Sequence, residues 1–303
     1  MQSSQLAREI RRGDRRALSK GITLVENERE VASKLLRMLK PSGHAFIVGV
    51  TGPPGTGKST LVDRLISLYR KKGLSVGVIA VDPTSPITGG ALLGDRIRMA
   101  SHTGDRGVYI RSMASRGWSG GLSGATSQAI QLMDAAGFDV IFLETVGIGQ
   151  SDIEVVGVAH AVLVVLMPGL GDDVQVSKAG LMEIGDVYVV NKADMVGSDS
   201  MVVHLLGLVR GMKSRSPPVI KVSALTGEGL ETLEGAIEVV RSRFGQGDPD
   251  LKLRSVRGMI VETARWTLME RLSKASQEKA EKLARLVVGD ELSIDEAAAR
   301  LAQ

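Results

Sequence analysis

The chain has no cysteine among its 303 residues, which excludes disulfide bridges, cysteine-based zinc sites and thiol nucleophiles. Aromatic residues account for only 3% of it, so few side chains could stack on bases, and single-stranded nucleic acid is a disfavoured ligand. No apolar run reaches the roughly 18 residues that would span a bilayer, and the N-terminus lacks the apolar core of a signal peptide. With a net charge of only +4, these absences predict a cytoplasmic protein without a membrane or nucleic-acid partner.

Glycine and proline are concentrated in the segment "TGPPGTGKST", which follows the apolar run "AFIVGV". The spacing of its glycines from Lys58 and Ser59 fits the pattern G-x-x-x-x-G-K-[ST]. In that pattern backbone N–H groups surround phosphates, the lysine reaches the outer phosphates and the hydroxyl binds Mg²⁺. A strand-like run before the segment and a helical pattern after it favour this interpretation over an ordinary turn. The predicted nucleotide-binding residues are Gly52, Pro53, Pro54, Gly55, Thr56, Gly57, Lys58, Ser59 and Thr60.

Seven short runs rich in valine and isoleucine begin at residue 45, mostly separated by segments of helical length. Such continuous apolar runs predict strands covered on both faces, and hence an α/β fold with a doubly wound, mainly parallel sheet around a P-loop NTPase core. The N-terminal segment and the segment after "GQGDPD" have helical patterns without strand-like runs. The predicted organisation is an N-terminal helical region at 1–40, a P-loop domain at 41–245 and a C-terminal helical extension at 246–303.

The segment "VVNKADM" indicates which base the site prefers, because it contains the N-K-x-D pattern of GTPases after a strand-like run. The carboxylate of Asp194 can accept hydrogen bonds from guanine N1–H and the 2-amino group, which adenine lacks. Further along, the letters "SAL" at 223–225 match the loop whose backbone N–H contacts the guanine oxygen in GTPases. The predicted guanine-binding residues are Asn191, Lys192, Asp194, Ser223, Ala224 and Leu225.

Two acidic residues at predicted strand ends are candidate Mg²⁺ ligands. Asp82 begins "DPTSPITGGALLGDRIRM", and Glu144 begins "ETVGIGQSD". Carboxylates at strand ends beside a phosphate loop can hold the metal directly or through water, because phosphate oxygens fill only part of its octahedron. The predicted metal site therefore consists of Ser59, Asp82 and Glu144.

Residues 144–147 stand where GTPases have D-x-x-G. Ile148 follows the glycine at the position where a Ras-like enzyme has its water-orienting glutamine. We therefore expect intrinsic hydrolysis to be slow. Gln150 and Asp152 are nearby polar candidates for a catalytic role, and helix capping is the alternative interpretation of both.

Longer motifs surround these sites, namely "VTGPPGTGKSTLVDRL", "VDPTSPITGGALLGDRIRM", "ETVGIGQSD" and "PGLGDDVQVSKAGLMEIGDVYVVNKAD". Over about residues 30–230 the sequence resembles the MeaB/ArgK family, the G-protein chaperones of adenosylcobalamin-dependent acyl-CoA mutases such as methylmalonyl-CoA mutase. The resemblance implies a P-loop GTPase of the SIMIBI class, which tends to act as a dimer. It also implies that GTP hydrolysis gates cofactor delivery and protects the mutase, so that adenosylcobalamin concerns this chain only through its partner.

The resemblance also implies roles for individual residues. Asp95 would lie in a first mobile segment, and residues 168–178 would form a further one in which Lys178 couples the nucleotide state to the partner. The C-terminal extension would form a homodimer, a role transferred by its position alone, and an adenosyltransferase is left open as a further component. The candidate catalytic residues are Lys58, Asp95, Glu144, Gln150 and Lys178.

Two other functions use related chemistry. A small-molecule kinase or transport-coupled ATPase, suggested by old names attached to the family, is opposed by the N-K-x-D pattern. A metallocentre-insertion GTPase of the hydrogenase or urease type shares the SIMIBI core, but such proteins commonly carry Cys/His clusters, and this chain has no cysteine. The scattered histidines lack metal-ligand spacing and are interpreted as structural; they are His44, His102, His160 and His204.

Overall fold

The computed structural model describes residues 3–39, 43–82, 100–102, 104–114, 124–145, 147, 155, 157–169, 181–212 and 216–302. Its strands are β1 Phe46–Thr51, β2 Val76–Asp82, β3 Val108–Ala114, β4 Val140–Glu144, β5 Ala161–Leu166, β6 Val187–Val190 and β7 Val219–Lys221. They form one sheet in the order β3-β2-β4-β1-β5-β6-β7, and every described pair of neighbours is parallel. Each strand begins in one of the predicted apolar runs, and β3 continues beyond its run to Ala114. The predicted doubly wound α/β fold is confirmed.

Helices cover both faces of this sheet. Because successive side chains of each strand point to opposite faces, one strand contributes to the cores on both sides. The helices are α1 Ser3–Arg11, α2 Arg15–Asn27, α3 Arg29–Leu39, α4 Lys58–Lys71, α5 Gly124–Ala135, α6 Leu181–Ile184, α7 Ser198–Arg210, α8 Leu230–Gly245, α9 Pro249–Val288 and α10 Ile294–Ala302. In β1, Ile47 lies in the core that the sheet shares with α1–α3, α5 and α7. Val48 and Val50 lie in the opposite core, beneath α4 and α8.

The N-terminal helices pack against α5 at the sheet and bury large apolar side chains. Leu6, Ile22 and Leu35 are all buried in the same cluster as strand residues of the sheet. The helix α2 begins after Asp14, whose carboxylate accepts a hydrogen bond from the Ala17 N–H at 2.7 Å, as an N-capping residue does. The division of the chain at residues 40 and 245 stays a prediction.

The C-terminal part of the described chain is dominated by α9, a helix of 40 residues. Asp248 caps its start, and a proline follows at the first helical position, where its missing N–H costs nothing. The first half of α9 lies on the body of the protein: Ser255 donates to the Val158 carbonyl at 2.8 Å, and Arg254 pairs with Asp186 at 3.0 Å. None of the helices in the described ranges is both long enough and apolar enough to span a membrane.

Candidate functional site

The phosphate-loop motif lies between the end of β1 and the start of α4, at the carboxyl edge of the parallel sheet. Its backbone is packed closely against the neighbouring strand β5. Gly52 has φ of 136°, and a Cβ added there would lie 2.0 Å from the Val165 carbonyl oxygen. No residue other than glycine could therefore occupy the first position of this loop without moving the backbone. The loop leads into the N-terminus of α4, where backbone N–H groups and the helix dipole favour an anion.

The ammonium group of Lys58 lies inside this loop. The side chain is buried, and its Nζ donates to the carbonyl oxygens of Gly52 at 2.7 Å and Pro53 at 3.1 Å. The backbone of Gly147 approaches the same point, because a Cβ added there would lie 2.6 Å from Lys58 Nζ and 1.9 Å from the Gly52 oxygen. Gly147 and the phosphate loop thus meet at the buried ammonium group of Lys58.

Ser59 and Glu144 lie side by side next to this cation. The Ser59 hydroxyl donates to Glu144 Oε1 at 2.6 Å, and both side chains are buried. A hydroxyl and a carboxylate are the oxygen donors that Mg²⁺ takes in proteins, with phosphate oxygens and water completing its shell. Asp82 ends β2, the strand that pairs with β4 through Ala80 and Glu144. The residues present fit a magnesium ion, and the side chain of Asp82 lies outside the described part.

The predicted base-recognition motifs follow the ends of β6 and β7, on the same edge of the sheet. The hydroxyl of Ser223 donates to Asp194 Oδ1 at 2.6 Å. This hydrogen bond is the largest cause of a pKa of the Asp194 carboxyl that lies below its usual value. Asp194 is therefore ionised at neutral pH and presents an acceptor, as pairing with two guanine N–H donors requires. Lys192 adopts φ of 58°, a conformation that few residues other than glycine adopt.

Asn191 joins the base-recognition motifs to the phosphate loop. Its Nδ2 donates to the Thr56 carbonyl at 2.7 Å, and its Oδ1 accepts from the Ala224 N–H at 3.0 Å. The side chain is buried. The structure therefore brings the phosphate loop, residues 191–194 and the 223–225 loop together at one edge of the sheet.

Sequence reasoning missed two contributions to this site. Arg64 on α4 donates from Nε to the Ala224 carbonyl at 2.9 Å and from Nη2 to the Leu225 carbonyl at 3.0 Å. Thr145 donates to the Thr51 hydroxyl at 3.2 Å, which ties the end of β4 to the end of β1. Arg64 lies within the longer motif "VTGPPGTGKSTLVDRL" but outside the G-x-x-x-x-G-K-[ST] pattern, and only the folded structure reveals its contact with the 223–225 loop.

Several predicted residues lie outside the described part of the chain. They are Asp95 in the first predicted mobile segment, Ile148, Gln150 and Asp152 after Gly147, and Lys178 in the segment that follows β5. Their roles stay predictions.

Comparisons with known proteins agree with this geometry. The family model described as methylmalonyl Co-A mutase-associated GTPase MeaB matches residues 18–281. A protein of Pyrococcus horikoshii named as a GTPase is 54% identical over 236 residues, which cover 76% of this chain and 74% of the relative. GTPase ArgK of Escherichia coli is 37% identical over 244 residues, covering 76% of this chain and 73% of ArgK. The crystal structure of a LAO/AO transport system kinase superposes with a TM-score of 0.72 and 25% identity, covering 99% of this chain and 96% of that one.

Proposed function

The chain belongs to the MeaB family of P-loop GTPases, and from this premise we propose that it is a GTP-dependent chaperone of an adenosylcobalamin-dependent acyl-CoA mutase of the methylmalonyl-CoA mutase type. In this role it gates loading of the cofactor onto the mutase and protects the mutase. The mutase partner in this proposal is supported by the description of the family. The observation that carries its GTP-binding part is the pair of hydrogen bonds through which Asn191 joins the phosphate loop to the 223–225 loop. One site can then contact the phosphates and the base of the same nucleotide.

The predicted phosphate, metal and base ligands have distinct chemical tasks in this proposal. Lys58 neutralises the outer phosphates of GTP, which lie at the N-terminus of α4. Ser59 and Glu144, with Asp82, hold a magnesium ion that supplies charge compensation for the phosphates when it is bound. Asp194 accepts the guanine donors, and the backbone of residues 223–225 faces the guanine oxygen.

The output of the proposed switch is a change in the partner protein. Lys178 is our candidate for the coupling residue, in a segment that leaves the end of β5 at the edge of the sheet where the phosphate loop lies. The mutase carries the adenosylcobalamin, so this chain needs no corrin site of its own. The complex belongs in the cytoplasm in this proposal, and an adenosyltransferase is an additional candidate component.

We further propose that the protein acts as a homodimer through α9. Leu253, Val256 and Ile260 are exposed at three- and four-residue spacing on this helix, at 66%, 55% and 63% of their surface. A cavity of about 600 Å³ opens beside them, between α9 and α5, and Val256 and Ile260 line it. Such an apolar stripe on a surface helix is suited to a second copy of the same stripe across a two-fold axis.

The proposed partnership is tested by mixing the protein with the methylmalonyl-CoA mutase of the same source. Size-exclusion chromatography with GDP and with a non-hydrolysable GTP analogue should show a complex whose affinity differs between the two nucleotides. Lys178→Ala should leave the GTP affinity unchanged and remove this nucleotide dependence. If no complex forms with either nucleotide, the mutase-chaperone proposal is wrong even if the chain hydrolyses GTP.

A further inference from the structure

The guanidinium group of Arg64 bridges two successive backbone carbonyls of the 223–225 loop. Arg64 lies six residues beyond Lys58 on α4, and it contacts the Ala224 and Leu225 oxygens from two different nitrogens. We propose that Arg64 is a positioning residue for base selectivity, which orients the backbone of this loop for the guanine oxygen. The inference rests on the proposed GTPase function and deepens it.

The contacts of Ala224 show how the orientation is achieved. Its N–H donates to Asn191 Oδ1 at 3.0 Å, and its carbonyl oxygen accepts from Arg64 Nε at 2.9 Å. The peptide bond that follows is trans, and in a planar trans unit the C=O and the next N–H point in opposite directions. Because Arg64 holds the Ala224 oxygen toward α4, the Leu225 N–H points away from α4.

Other bonds of the loop fix its remaining groups. The Thr226 N–H donates to the Ser223 hydroxyl at 3.2 Å, and the same hydroxyl donates to Asp194. Gly227 N–H donates to the Ser223 carbonyl at 2.8 Å, which closes the turn. Ser223 is fully buried, whereas the Leu225 side chain is 72% exposed. The loop is therefore anchored at its start, and Arg64 holds the part of it that reaches the surface.

Arginine suits this task because its planar fork can reach two acceptors at once with little loss of freedom per bond. The fork also comes from the helix that starts at the phosphate loop, so the distance between the phosphate and base halves of the site is set by a rigid element. Asn191 makes the equivalent link from the opposite direction, from β6 to Thr56. Removing Arg64 should therefore affect recognition of the base and leave the phosphate contacts in place.

The test compares the affinities of GTP, GDP and ATP by calorimetry for Arg64→Met, Arg64→Lys and the control Arg70→Met. Arg70 also lies on α4 and also uses its guanidinium as a fork, but it binds Asp105 at 2.9 Å and 3.1 Å. Arg64→Met should weaken GTP and GDP about five- to tenfold and leave ATP unchanged, so that the GTP-to-ATP affinity ratio falls by that factor. The GTP-to-ATP affinity ratio of Arg64→Lys should lie between the ratios of the wild type and Arg64→Met, since one ammonium cannot bind both carbonyls. Arg70→Met should keep the wild-type ratio.

A second readout separates positioning from general damage to the helix. At saturating GTP the kcat of Arg64→Met should equal that of the wild type while KM rises, because the phosphate half of the site is intact. An unchanged GTP-to-ATP ratio in Arg64→Met, or an equal loss for all three nucleotides, overturns this inference alone. A wild-type protein that does not prefer GTP over ATP contradicts the proposed function itself.

Discussion

At the scale of single residues, we expect base selectivity to depend on the carboxylate of Asp194, to which the Ser223 hydroxyl donates a hydrogen bond. This hydrogen bond lowers the pKa of a carboxyl that is already ionised at neutral pH, and an ionised carboxylate only accepts hydrogen bonds. Asp194→Asn exchanges one acceptor oxygen for a donor, which suits the 2-carbonyl of xanthine and repels the 2-amino group of guanine. We expect GTP affinity to fall about tenfold or more, and XTP to become the preferred ligand.

The control for this change is Asp199→Asn. Asp199 is an exposed carboxylate on α7 that pairs with Lys221 at 2.8 Å, so its loss should leave the GTP and XTP affinities unchanged. Calorimetric titration with both nucleotides measures the effect. If Asp194→Asn still preferred GTP over XTP, the role assigned to this carboxylate would be wrong.

The residues of the site differ in how far the sequence predicts them. Lys58, Ser59 and Asp194 belong to short motifs whose chemistry is local, so their spacing alone identifies them. The bond from Asn191 to Thr56 joins residues 135 positions apart, and the bond from Arg64 to Ala224 joins residues 160 positions apart. Such pairs meet only because β1, β5, β6 and β7 lie next to one another in the sheet. No single motif predicts this strand order, so these contacts could not be predicted from the sequence.

At the scale of elements, the central strands could be predicted because each is a continuous apolar run buried on both faces. The edge strand β3 is only half-buried and contains Arg111 and Ser112, so its full length could not be predicted. The carboxyl ends of the strands then collect the loops that follow them at one edge of the sheet. The close approach of two of these loops could not be predicted. Gly147 follows β4, and a Cβ added to it would lie 1.9 Å from the Gly52 oxygen.

This contact gives a prediction for the loop after β4. Gly147→Ala should abolish GTP binding, because the added methyl displaces the phosphate loop and Lys58. The matched control is Gly73→Ala after α4: its φ of 78° is close to the 80° of Gly147, but a Cβ there meets nothing within 4 Å. Both variants bear the strain of a positive φ, about 1–2 kcal/mol.

Thermal unfolding and GTP titration of the two variants separate strain from the loop contact. A loss of thermal stability at least as large in Gly147→Ala as in Gly73→Ala, with GTP binding lost only in Gly147→Ala, would agree with the structure. Wild-type GTP affinity in Gly147→Ala would show that the two loops do not approach as described.

At the scale of the whole molecule, the long helix α9 carries exposed apolar side chains that we propose form a dimer interface. Its exposed apolar stripe predicts a dimer, and Ile260→Asp should convert that dimer to a monomer because a charge is then buried at the interface. Val239→Asp is the control, since Val239 on α8 is equally exposed at 65%. Light scattering gives the mass of each form. A wild-type monomer, or an Ile260→Asp dimer, would contradict the proposed interface.

Global stability should depend on the protonation of one core histidine. His160 packs against the rings of both Phe46 and Phe244, and its Nδ1 accepts from the Ile47 N–H at 3.0 Å. Burial is the largest cause that lowers its pKa from 6.5 to about 4. Between these values the unfolded chain binds a proton that the folded chain does not, so stability falls as the pH falls.

The expected loss is about 2 kcal/mol on going from about pH 7 to about pH 5. His160→Gln keeps an acceptor for the Ile47 N–H but does not titrate, so its unfolding free energy should show a correspondingly smaller loss over the same range. Urea unfolding of both proteins at the two pH values measures the difference. An equal loss in both would exclude His160 as the cause.

We propose that GTP turnover by this chain is coupled to an acyl-CoA mutase, and the rate of GTP hydrolysis with and without saturating mutase measures this coupling. Typical enzymes turn over about 1–10³ times per second. The purified protein alone should be far slower, because Ile148 has no group to orient an attacking water. Adding methylmalonyl-CoA mutase should raise the rate, and Lys58→Ala should show no hydrolysis in either condition. Fast hydrolysis by the protein alone, unchanged by the mutase, would contradict the account.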